Sequence, residues 1–432
     1  MRAMKDSRIE WIGEIPQEWE LHRIKTDFDI VAGATPKSGE SSYWDGGIPW
    51  ITPADYTTED VYVSSGRKTI TQEGFDSCAT SMIPAGSIIF SKRAPVGLVA
   101  INSNPLCTNQ GCLACVPHDN VNAKYYYYVM SIYGEQFDLF ASGTTFKEIS
   151  ADTFANFKLP FPDYETQKKV ADYLDSKCSE IDALIAAKKK TNALMRERRQ
   201  SIIYEAVTKG LDPSAPMKDS GVEWIGEIPE GWSTWRLKHL AVEPLQYGAN
   251  ATGVEYTVEL PRYVRITDIS QERTLIDEGK QSLPEEIACD YMLETGDILF
   301  ARSGATAGKS FFYNEGYGRC CFAGYLIRFR VDRNKADSKF LYYYTLTQAY
   351  EQWTQQIFIQ ATIQNISAEK YSNLYFAIPP TVDEQQRIAS YLDSECARLD
   401  TIIKENDSTI QELKEYRQSL IYETVTGKIE VS

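Results

Sequence analysis

A glycine-rich segment in the second half of the sequence resembles the phosphate-binding loop of nucleotide-binding proteins. Residues 303–310 read Ser-Gly-Ala-Thr-Ala-Gly-Lys-Ser. The phosphate-binding loop has four residues between its first glycine and its Gly-Lys pair, because their backbone N–H groups surround the phosphates. Three residues separate Gly304 from Gly308. The loop is therefore too short, and the sequence predicts no nucleotide site here.

Three cysteines and one histidine of the first half have a spacing loosely like that of zinc ligands: Cys107, Cys112, Cys115 and His118. A structural zinc site needs four such ligands in a tetrahedral arrangement. The second half offers the adjacent pair Cys320 and Cys321 and no matching histidine. We therefore favour buried thiols over zinc and predict no metal in this chain. Nine cysteines without a regular framework also fit a reducing compartment.

Residues for catalysis are scarce in this sequence. It contains three histidines, His22, His118 and His239. It has no Asn-Pro-Pro-Tyr or Asp-Pro-Pro-Tyr loop of the kind that DNA methyltransferases use, and residues 162–167 lack the lysine that a metal-dependent nuclease motif would need. We therefore predict that the chain is not an enzyme and has no catalytic residue.

The sequence contains an internal duplication. Residues 4–25 align with residues 217–238 with 14 of 22 positions identical, and residues 165–210 align with residues 383–428 with 19 of 46 identical. Between these regions the similarity is reduced to landmarks, such as the strand-like segments 86–90 and 296–300. A repeat of this kind determines the whole architecture: two bodies that have diverged, each followed by a conserved long segment.

The duplication predicts an α+β fold with two globular α/β domains related by a pseudo-two-fold axis. The predicted parts are a first recognition domain at 1–164, a first long helix at 165–210, a second recognition domain at 211–382 and a second long helix at 383–432. Neither long segment contains proline or glycine between residues 165 and 209 or between residues 383 and 426. Each can therefore form an unbroken helix of roughly 65 Å.

Heptad spacing places an apolar stripe with one central polar residue on each long segment, which is typical of helices that pair. The predicted pairing residues are Leu174, Ile181, Lys188, Met195 and Ile202 on the first segment, and Leu392, Leu399, Asn406, Leu413 and Leu420 on the second. Residues 165–210 carry a net charge of +3 and residues 383–428 a net charge of −4. These opposite charges favour pairing of the two helices within one chain, and the pseudo-two-fold relation of the halves predicts that this intramolecular coiled coil is antiparallel. The alternative is that each helix packs only on its own domain.

Three repeated motifs of the sequence resemble those of a known family. The motif WIGEIPxxW at 11–19 and 224–232, the YLDS motifs at 173–176 and 391–394, and the RQSxIYExVT motifs at 199–208 and 417–426 resemble the specificity subunit of type I restriction-modification systems. The resemblance covers essentially the whole chain. It implies two target recognition domains that each read half of a bipartite, asymmetric DNA site, with the paired helices setting a fixed spacer.

The same resemblance implies the partners of the chain. These are double-stranded DNA, two methyltransferase subunits and, optionally, two restriction subunits. It also implies that S-adenosylmethionine, ATP and Mg²⁺ are bound by the partner subunits, with no cofactor in this chain. Methylation and cleavage then belong to those subunits.

Some candidate DNA-binding residues directly follow the strand-like segments. Others lie in the loops through which the chain re-enters each domain. Arginine and lysine can contact phosphates or guanine, and asparagine or glutamine can contact adenine. The candidates are Lys92, Arg93, Asn109, Gln110, Thr145, Lys147, Arg265, Arg302, Lys309, Arg319 and Gln364. For each of them, a plain surface or structural role is an alternative to a DNA contact.

The net charge of −15 argues against DNA binding when taken over the whole chain. Screening makes the local charge decisive, and residues 291–335 carry a net charge of +3. No apolar run long enough to span a membrane is present, and we expect a cytoplasmic protein. The alternative function is that of a non-catalytic adaptor whose two divergent domains bind proteins through their many aromatic residues.

Overall fold

The computed structural model of the chain describes residues 2–143, 147–359 and 365–431. The chain divides into two compact units: unit 1 comprises Met1–Lys188 and Asp407–Ser432, and unit 2 comprises Lys189–Asn406. Each unit combines helices with β-sheets, which confirms the predicted α+β class. Within the described part of the chain, no helix is long and apolar enough to cross a membrane.

Within the described residues, the first half of the chain contains twelve strands and six α-helices. Its strands are β1 (Met4–Asp6), β2 (Glu14–Pro16), β3 (Glu20–Arg23), β4 (Phe28–Ala32), β5 (Trp44–Ile51), β6 (Tyr62–Val63), β7 (Lys68–Ile70), β8 (Ile88–Ser91), β9 (Val99–Asn102), β10 (Cys107–Thr108), β11 (Cys112–Pro117) and β12 (Lys158–Phe161). Its helices are α1 (Ile24–Asp27), α2 (Gln72–Asp76), α3 (Ala123–Ile132), α4 (Gly134–Leu139), α5 (Ala151–Ala155) and α6 (Tyr164–Lys209).

The second half repeats this order of elements. Its strands are β13 (Met217–Asp219), β14 (Glu227–Pro229), β15 (Ser233–Arg236), β16 (Gln246–Tyr247), β17 (Val254–Glu255), β18 (Arg262–Val264), β19 (Gln281–Ser282), β20 (Ile298–Ala301), β21 (Ser310–Phe312), β22 (Cys320–Phe322), β23 (Leu326–Phe329) and β24 (Tyr375–Ile378). Its helices are α7 (Leu237–Leu240), α8 (Glu285–Ala288), α9 (Ser338–Tyr344), α10 (Gln348–Ile359), α11 (Ala368–Ser372) and α12 (Val382–Val425).

Each unit is built around one central buried strand. In unit 1, β8 lies inside a five-stranded sheet of order β4-β11-β8-β9-β6. In unit 2, β20 lies inside a four-stranded sheet of order β16-β23-β20-β21. All four residues of each central strand are buried, as the apolar segments 86–90 and 296–300 predict. The turns before them need glycine, because Gly86 and Gly296 have φ values of +84° and +98°.

Aromatic side chains fill equivalent positions in the two cores. In unit 1 the ring of Phe90 lies 4.2 Å from the ring of Phe154. In unit 2 the ring of Phe300 lies 4.5 Å from that of Tyr371. All four side chains are fully buried. The two bodies therefore keep one packing scheme although their sequences have diverged.

The long helices α6 and α12 pack against each other within each unit. In unit 1, Ile181 of α6 shares a core with Ile410 of α12, and Arg417 Nε lies 3.3 Å from Asp182 Oδ1. In unit 2, Arg199 Nε lies 3.3 Å from Asp400 Oδ1. These two ion pairs join equivalent positions of the repeat. The alternative that each helix packs only on its own domain is therefore wrong.

The direction of the pairing follows from contacts in unit 2. Asn192 faces Asn406 through a side-chain hydrogen bond of 2.9 Å, and Arg199 faces Asp400. Residue numbers rise along α6 while they fall along α12, so the helices are antiparallel, as predicted. Asn406 is buried, and its amide partner is Asn192.

The predicted pairing residues are mostly buried. Lys188, Met195 and Leu413 are half-buried. The other seven are buried: Leu174, Ile181, Ile202, Leu392, Leu399, Asn406 and Leu420.

A buried ion pair supports the central sheet of unit 2. Asp297 is 2% exposed and accepts two hydrogen bonds from Arg330, from Nε at 3.0 Å and from Nη2 at 2.9 Å. The backbone N–H of Glu294 donates to the same carboxylate at 2.9 Å. Removal of Asp297 would take both of these hydrogen bonds from Arg330, whose guanidinium would keep an ion pair of 2.8 Å with Glu294. Asp297 is therefore a residue on which the stability of unit 2 depends.

We expect Asp297→Ala to lower the free energy of unfolding of unit 2 by roughly 1.5–3 kcal/mol, the range for hydrogen bonds to charged groups. The duplication provides a matched control in unit 1, where Ser87 takes the equivalent position and its hydroxyl donates to Pro84 O at 2.9 Å. Ser87→Ala removes one neutral hydrogen bond and should cost about 1 kcal/mol. Urea denaturation of the two variants measures both values. Equal losses in the two variants would contradict this account of the buried charge.

Candidate nucleic-acid interface

In unit 1, three loops meet where β8 ends. The backbone N–H of Lys92 donates to Gly111 O at 2.9 Å, and the backbone N–H of Ile149 donates to Lys92 O at 3.0 Å. Arg93 also forms an isolated antiparallel bridge with Glu148. The backbone thus brings residues from the predicted sets around 92, 110 and 147 to one place. We call these residues, 92–93, 109–111 and 147–148, the unit 1 loop cluster.

A single carboxylate pairs with two cations of this cluster. Glu148 lies 2.8 Å from Lys92 Nζ and 2.8 Å from Arg93 Nε. The hydrogen bond from Lys92 lowers the pKa of Glu148, and the bond from Arg93 lowers it further. Glu148 is therefore charged at neutral pH. Lys92 is largely covered, whereas the side chain of Arg93 is 44% exposed.

The other described candidates in unit 1 differ in their freedom to bind a ligand. The side chain of Asn109 accepts a hydrogen bond of 2.9 Å from the backbone N–H of Gly111 and so stabilises its own turn. Gln110 is exposed and accepts a hydrogen bond from the Thr35 hydroxyl. Lys147 is exposed and lies 2.6 Å from Asp138. Thr145 and, in unit 2, Gln364 lie outside the described residues.

Unit 2 has an equivalent cluster with different chemistry. The backbone N–H of Ile366 donates to Arg302 O at 2.8 Å, and Ser303 forms an antiparallel bridge with Asn365. Asn365 therefore takes the place that Glu148 has in unit 1. The guanidinium of Arg302 lies 4.8 Å from the ring centre of Tyr247, a cation–π contact. We call Tyr247, Arg302, Ser303 and Asn365 the unit 2 loop cluster.

Polar atoms of this region lack partners. Arg302 Nε, Asn365 Oδ1 and Thr306 Oγ1 are buried and form no hydrogen bond with any described residue. Buried polar atoms are normally satisfied, so an unsatisfied group points to a missing partner. Among the described residues, Arg302 of the unit 2 loop cluster forms no ion pair, whereas Lys92, Arg93 and Lys147 of the unit 1 loop cluster each have a carboxylate partner.

Lys309 lies close to this cluster, on the hairpin between β20 and β21. Its backbone carbonyl accepts a hydrogen bond of 2.8 Å from the N–H of Ala301, and its Nζ donates to Ser270 O at 2.7 Å. Burial lowers the pKa of Lys309, and the nearby Arg273 lowers it further. Arg302 and Lys309 are therefore two predicted residues that the hairpin brings together.

The remaining two candidates belong to the other sheet of unit 2, of order β17-β19-β18-β22. Arg265 forms hydrogen bonds to both carboxylate oxygens of Asp268, at 3.0 and 2.7 Å. Arg319 lies 2.5 Å from Glu285, and its side chain is 57% exposed. Both cations thus have carboxylate partners and are not part of the unit 2 loop cluster.

Three residues near these clusters were not selected from the sequence: Tyr247, Arg273 and Asn365. Tyr247 lies 55 residues before Arg302 in sequence, and a cation–π contact leaves no local pattern. Asn365 could have been found from the alignment of Ile149 with Ile366, which places it opposite Glu148. Arg273 has a φ of +62°, an uncommon backbone conformation for a residue other than glycine that the sequence does not signal.

The segment at 303–310 and the three cysteines lack the geometry of the nucleotide and zinc sites that they resemble. Residues 303–310 connect the antiparallel strands β20 and β21, whereas a phosphate-binding loop connects a strand to a helix. Cys107, Cys112 and Cys115 belong to three separate core clusters, so their thiols do not converge. Burial raises the pKa of Cys112 to about 12. The described residues contain no group of three or more His, Cys, Asp or Glu side chains that could hold a metal ion.

A comparison with protein families identifies the chain. The profile of the family described as "Type I restriction modification DNA specificity domain" matches residues 16–193 and 263–414, one match in each half. This chain belongs to that family. The resemblance of the repeated motifs is thereby confirmed, and both copies of the family domain include parts of a loop cluster and of a long helix.

Relatives within the type I specificity family match along most of the chain. The MjaIX specificity subunit of Methanocaldococcus jannaschii is 29% identical over 432 residues, covering 97% of this chain and 95% of that protein. The StySPI specificity subunit of Salmonella potsdam is 23% identical over 437 residues, covering 96% and 90%.

Solved structures share the fold. A chain solved in work on the complex assembly and conformational transition of the type I R-M system aligns with a TM-score of 0.74 at 17% identity. It covers 96% of this chain and 99% of that one. The HsdS subunit from Thermoanaerobacter tengcongensis aligns with a TM-score of 0.54 at 16% identity, covering 96% and 98%.

Proposed function

We propose that this chain selects the DNA sequence on which a type I restriction-modification complex acts. In this proposal each body, residues 1–164 and residues 211–382, reads one half of a bipartite site. The observation that carries the proposal is that the same backbone frame presents two chemically different loop clusters. Two unlike reading surfaces imply two unlike half-sites, so the target is asymmetric.

The described geometry supports DNA as the ligand of both clusters. Each cluster follows a rigid, buried strand, and loops on rigid scaffolds commonly hold recognition residues. Each contains arginine, which reads guanine or contacts phosphate. Gln110 in unit 1 and Asn365 in unit 2 add side-chain amides of the kind that contact adenine.

The long helices, at 165–210 and 383–432, have a second role in this proposal. Their antiparallel pairing makes them a spacer of fixed length between the half-sites, in line with the general rule that rigidly linked recognition modules set half-site spacing. Two methyltransferase subunits dock on this chain, and two restriction subunits join them where the system restricts. The partner subunits bind S-adenosylmethionine, ATP and Mg²⁺, and they flip the target base out of the helix before methylation.

Selection of genomic fragments tests the proposal. The chain is purified with its methyltransferase subunits, incubated with sheared genomic DNA at 0.15 M salt, and the retained fragments are sequenced. We expect the fragments to share one motif of two unlike halves separated by a constant number of unspecified base pairs. Specific sites are typically bound at least about a thousandfold more tightly than other DNA, so the enrichment should be large. Retention without any shared motif would contradict the proposal and favour the protein-binding adaptor.

Glu148 and Asn365 take equivalent positions in the two loop clusters. Replacing each with the residue type of the other tests whether the charge at this position controls DNA binding. We expect Asn365→Glu to weaken DNA binding of the complex, because the new carboxylate would compensate Arg302 and repel phosphates. Glu148→Asn should strengthen it, because Lys92 and Arg93 lose their compensating charge. Each change should be about fivefold at 0.15 M salt, the size expected for one phosphate contact. Fluorescence anisotropy with a labelled duplex measures both affinities. The control for Glu148→Asn is Glu227→Gln, which removes one negative charge from an exposed strand residue.

A further inference from the structure

A polar cavity opens beside the β20–β21 hairpin of unit 2. Its volume is about 210 Å³. Basic, hydroxyl and amide side chains dominate its lining, which includes Gln271, Arg273, Thr306, Lys309, Tyr350 and Thr354. Of these, Lys309 is the one that the sequence analysis selected.

Two cations line this cavity, and neither forms an ion pair with a carboxylate of the described residues. Arg273 Nη1 donates to Ser310 O at 3.2 Å, and Lys309 Nζ donates to Ser270 O at 2.7 Å. Among the residues that the structure describes, no Asp or Glu oxygen forms an ion pair with either side chain. A guanidinium has five donors and an ammonium has three, so both retain donors for a ligand. The acidic side chain in the lining, Glu351, is exposed.

Other arginines of unit 2 show the contrast. Four of them, Arg262, Arg265, Arg328 and Arg330, each form an ion pair with a carboxylate, and the side chain of Arg328 is buried. Arg273 and Lys309 form no such ion pair with a described residue, although the nearby Glu272 acts against the lowering of the Lys309 pKa. Their charge is therefore available to an external anion.

The backbone around the cavity is held tightly. The Tyr350 hydroxyl donates to Gly308 O at 2.7 Å, and Gly308 has a φ of +87°. A Cβ atom at Gly308 would lie 3.1 Å from Thr354 Cγ2. Thr306 Oγ1, also in the lining, is buried and without a hydrogen-bond partner among the described residues. The cavity thus combines a rigid backbone, one hydroxyl without a hydrogen-bond partner among the described residues, and two cations with donors available to a ligand.

We propose that this cavity holds a single backbone phosphate of the bound DNA. The inference rests on the proposed function, and it assigns Arg273 and Lys309 to phosphate positioning and not to base reading. A phosphodiester is a compact anion with several acceptor oxygens, and two cations and a hydroxyl can donate to those oxygens. Among the described residues, the lining of the cavity offers no flat surface on which a base could stack. Burial lowers the pKa of Lys309, and a bound phosphate would act against this effect because an adjacent anion stabilises the charged ammonium form.

The test replaces DNA phosphates one at a time with neutral methylphosphonates in a duplex that carries the target sequence. Binding is measured with the complex of the full chain and its methyltransferase subunits. We expect one methylphosphonate position to weaken binding of the unaltered complex about fivefold at 0.15 M salt. The same position should not weaken binding by a complex that carries Arg273→Gln and Lys309→Gln. If each methylphosphonate position weakened binding of the double variant as much as it weakened binding of the unaltered complex, the inference would be overturned.

Matched variants separate charge from structure. Arg273→Lys keeps the cation and should restore the sensitivity to that methylphosphonate, whereas Lys335→Gln removes a cation paired with Asp332 and should leave the sensitivity unchanged. Thermal unfolding checks that each variant is folded. If the double variant does not fold, Arg273→Gln alone answers the question, because the bond from Lys309 to Ser270 remains. An unaltered complex that does not bind the duplex would contradict the proposed function itself.

Discussion

Exchange of residues 28–157 for the corresponding region of another family member should change one half of the methylated sequence and leave the other half unchanged. The exchanged region contains the whole unit 1 loop cluster. It leaves β3, α1, β12 and both long helices in place, so the antiparallel pairing of β3 with β12 is retained. Every residue of the unit 2 loop cluster is also retained. The expected effect is a complete change of one half-site, because a specific site differs from other DNA by several kcal/mol.

Sequencing of methylated bases in cells that carry the exchanged chain measures this result. The matched control exchanges the equivalent region of unit 2 and should change the opposite half-site. If either exchange altered both halves, the two bodies would not read DNA independently. If neither altered the motif, the loop clusters would not be reading surfaces.

Removal of seven residues from each long helix should shorten the spacer by about three base pairs and leave both half-sites unchanged. Seven residues of helix span about 10 Å, and DNA rises 3.4 Å per base pair. A seven-residue step keeps the heptad phase, so the apolar stripes remain in register. Residues 188–194 and 405–411 are suitable, because their removal takes out both members of the Asn192–Asn406 hydrogen bond and leaves no unpaired amide.

The methylated motif of this variant again provides the measurement. Its control removes residues 188–194 alone, which breaks the match between the helices and should abolish methylation. A shortened pair of helices that still produced the original spacer would contradict the role of the helices as a spacer.

The duplicated frame could be predicted from the sequence because helix pairing leaves a local, periodic pattern. The stripe through Leu174 and Ile181 and its copy through Leu392 and Leu399 predict two helices that bury one face. The absence of proline and glycine predicts their length. The two helices have 46 and 44 residues.

The polar contact between the helices could not be predicted from the same pattern. Lys188 and Asn406 are equivalent positions in the alignment of the two repeats. Equivalent positions of two antiparallel helices need not contact each other. The partner of Asn406 is Asn192, four residues later, whose equivalent in the second helix is the apolar Ile410. A buried amide pair of this kind favours one register, because any shift would leave an amide unsatisfied.

The loop clusters could be predicted only in part. The strand ends pointed to Lys92, Arg93 and Arg302, since a buried apolar strand is visible in sequence. Their partners lie far along the chain, as with Arg93 and Glu148 at a separation of 55 residues. Whether a cation is compensated depends on such long-range contacts. The sequence therefore indicates where binding residues lie but not which of them have charge to spare.

The most direct measurement of the central claim is the genome-wide pattern of methylated bases in cells with and without this gene. The account predicts that one split motif with two unlike halves loses its methylation when the gene is deleted and regains it when the intact chain is restored. A pattern that is the same with and without the gene, in cells that produce the methyltransferase subunits, would contradict it.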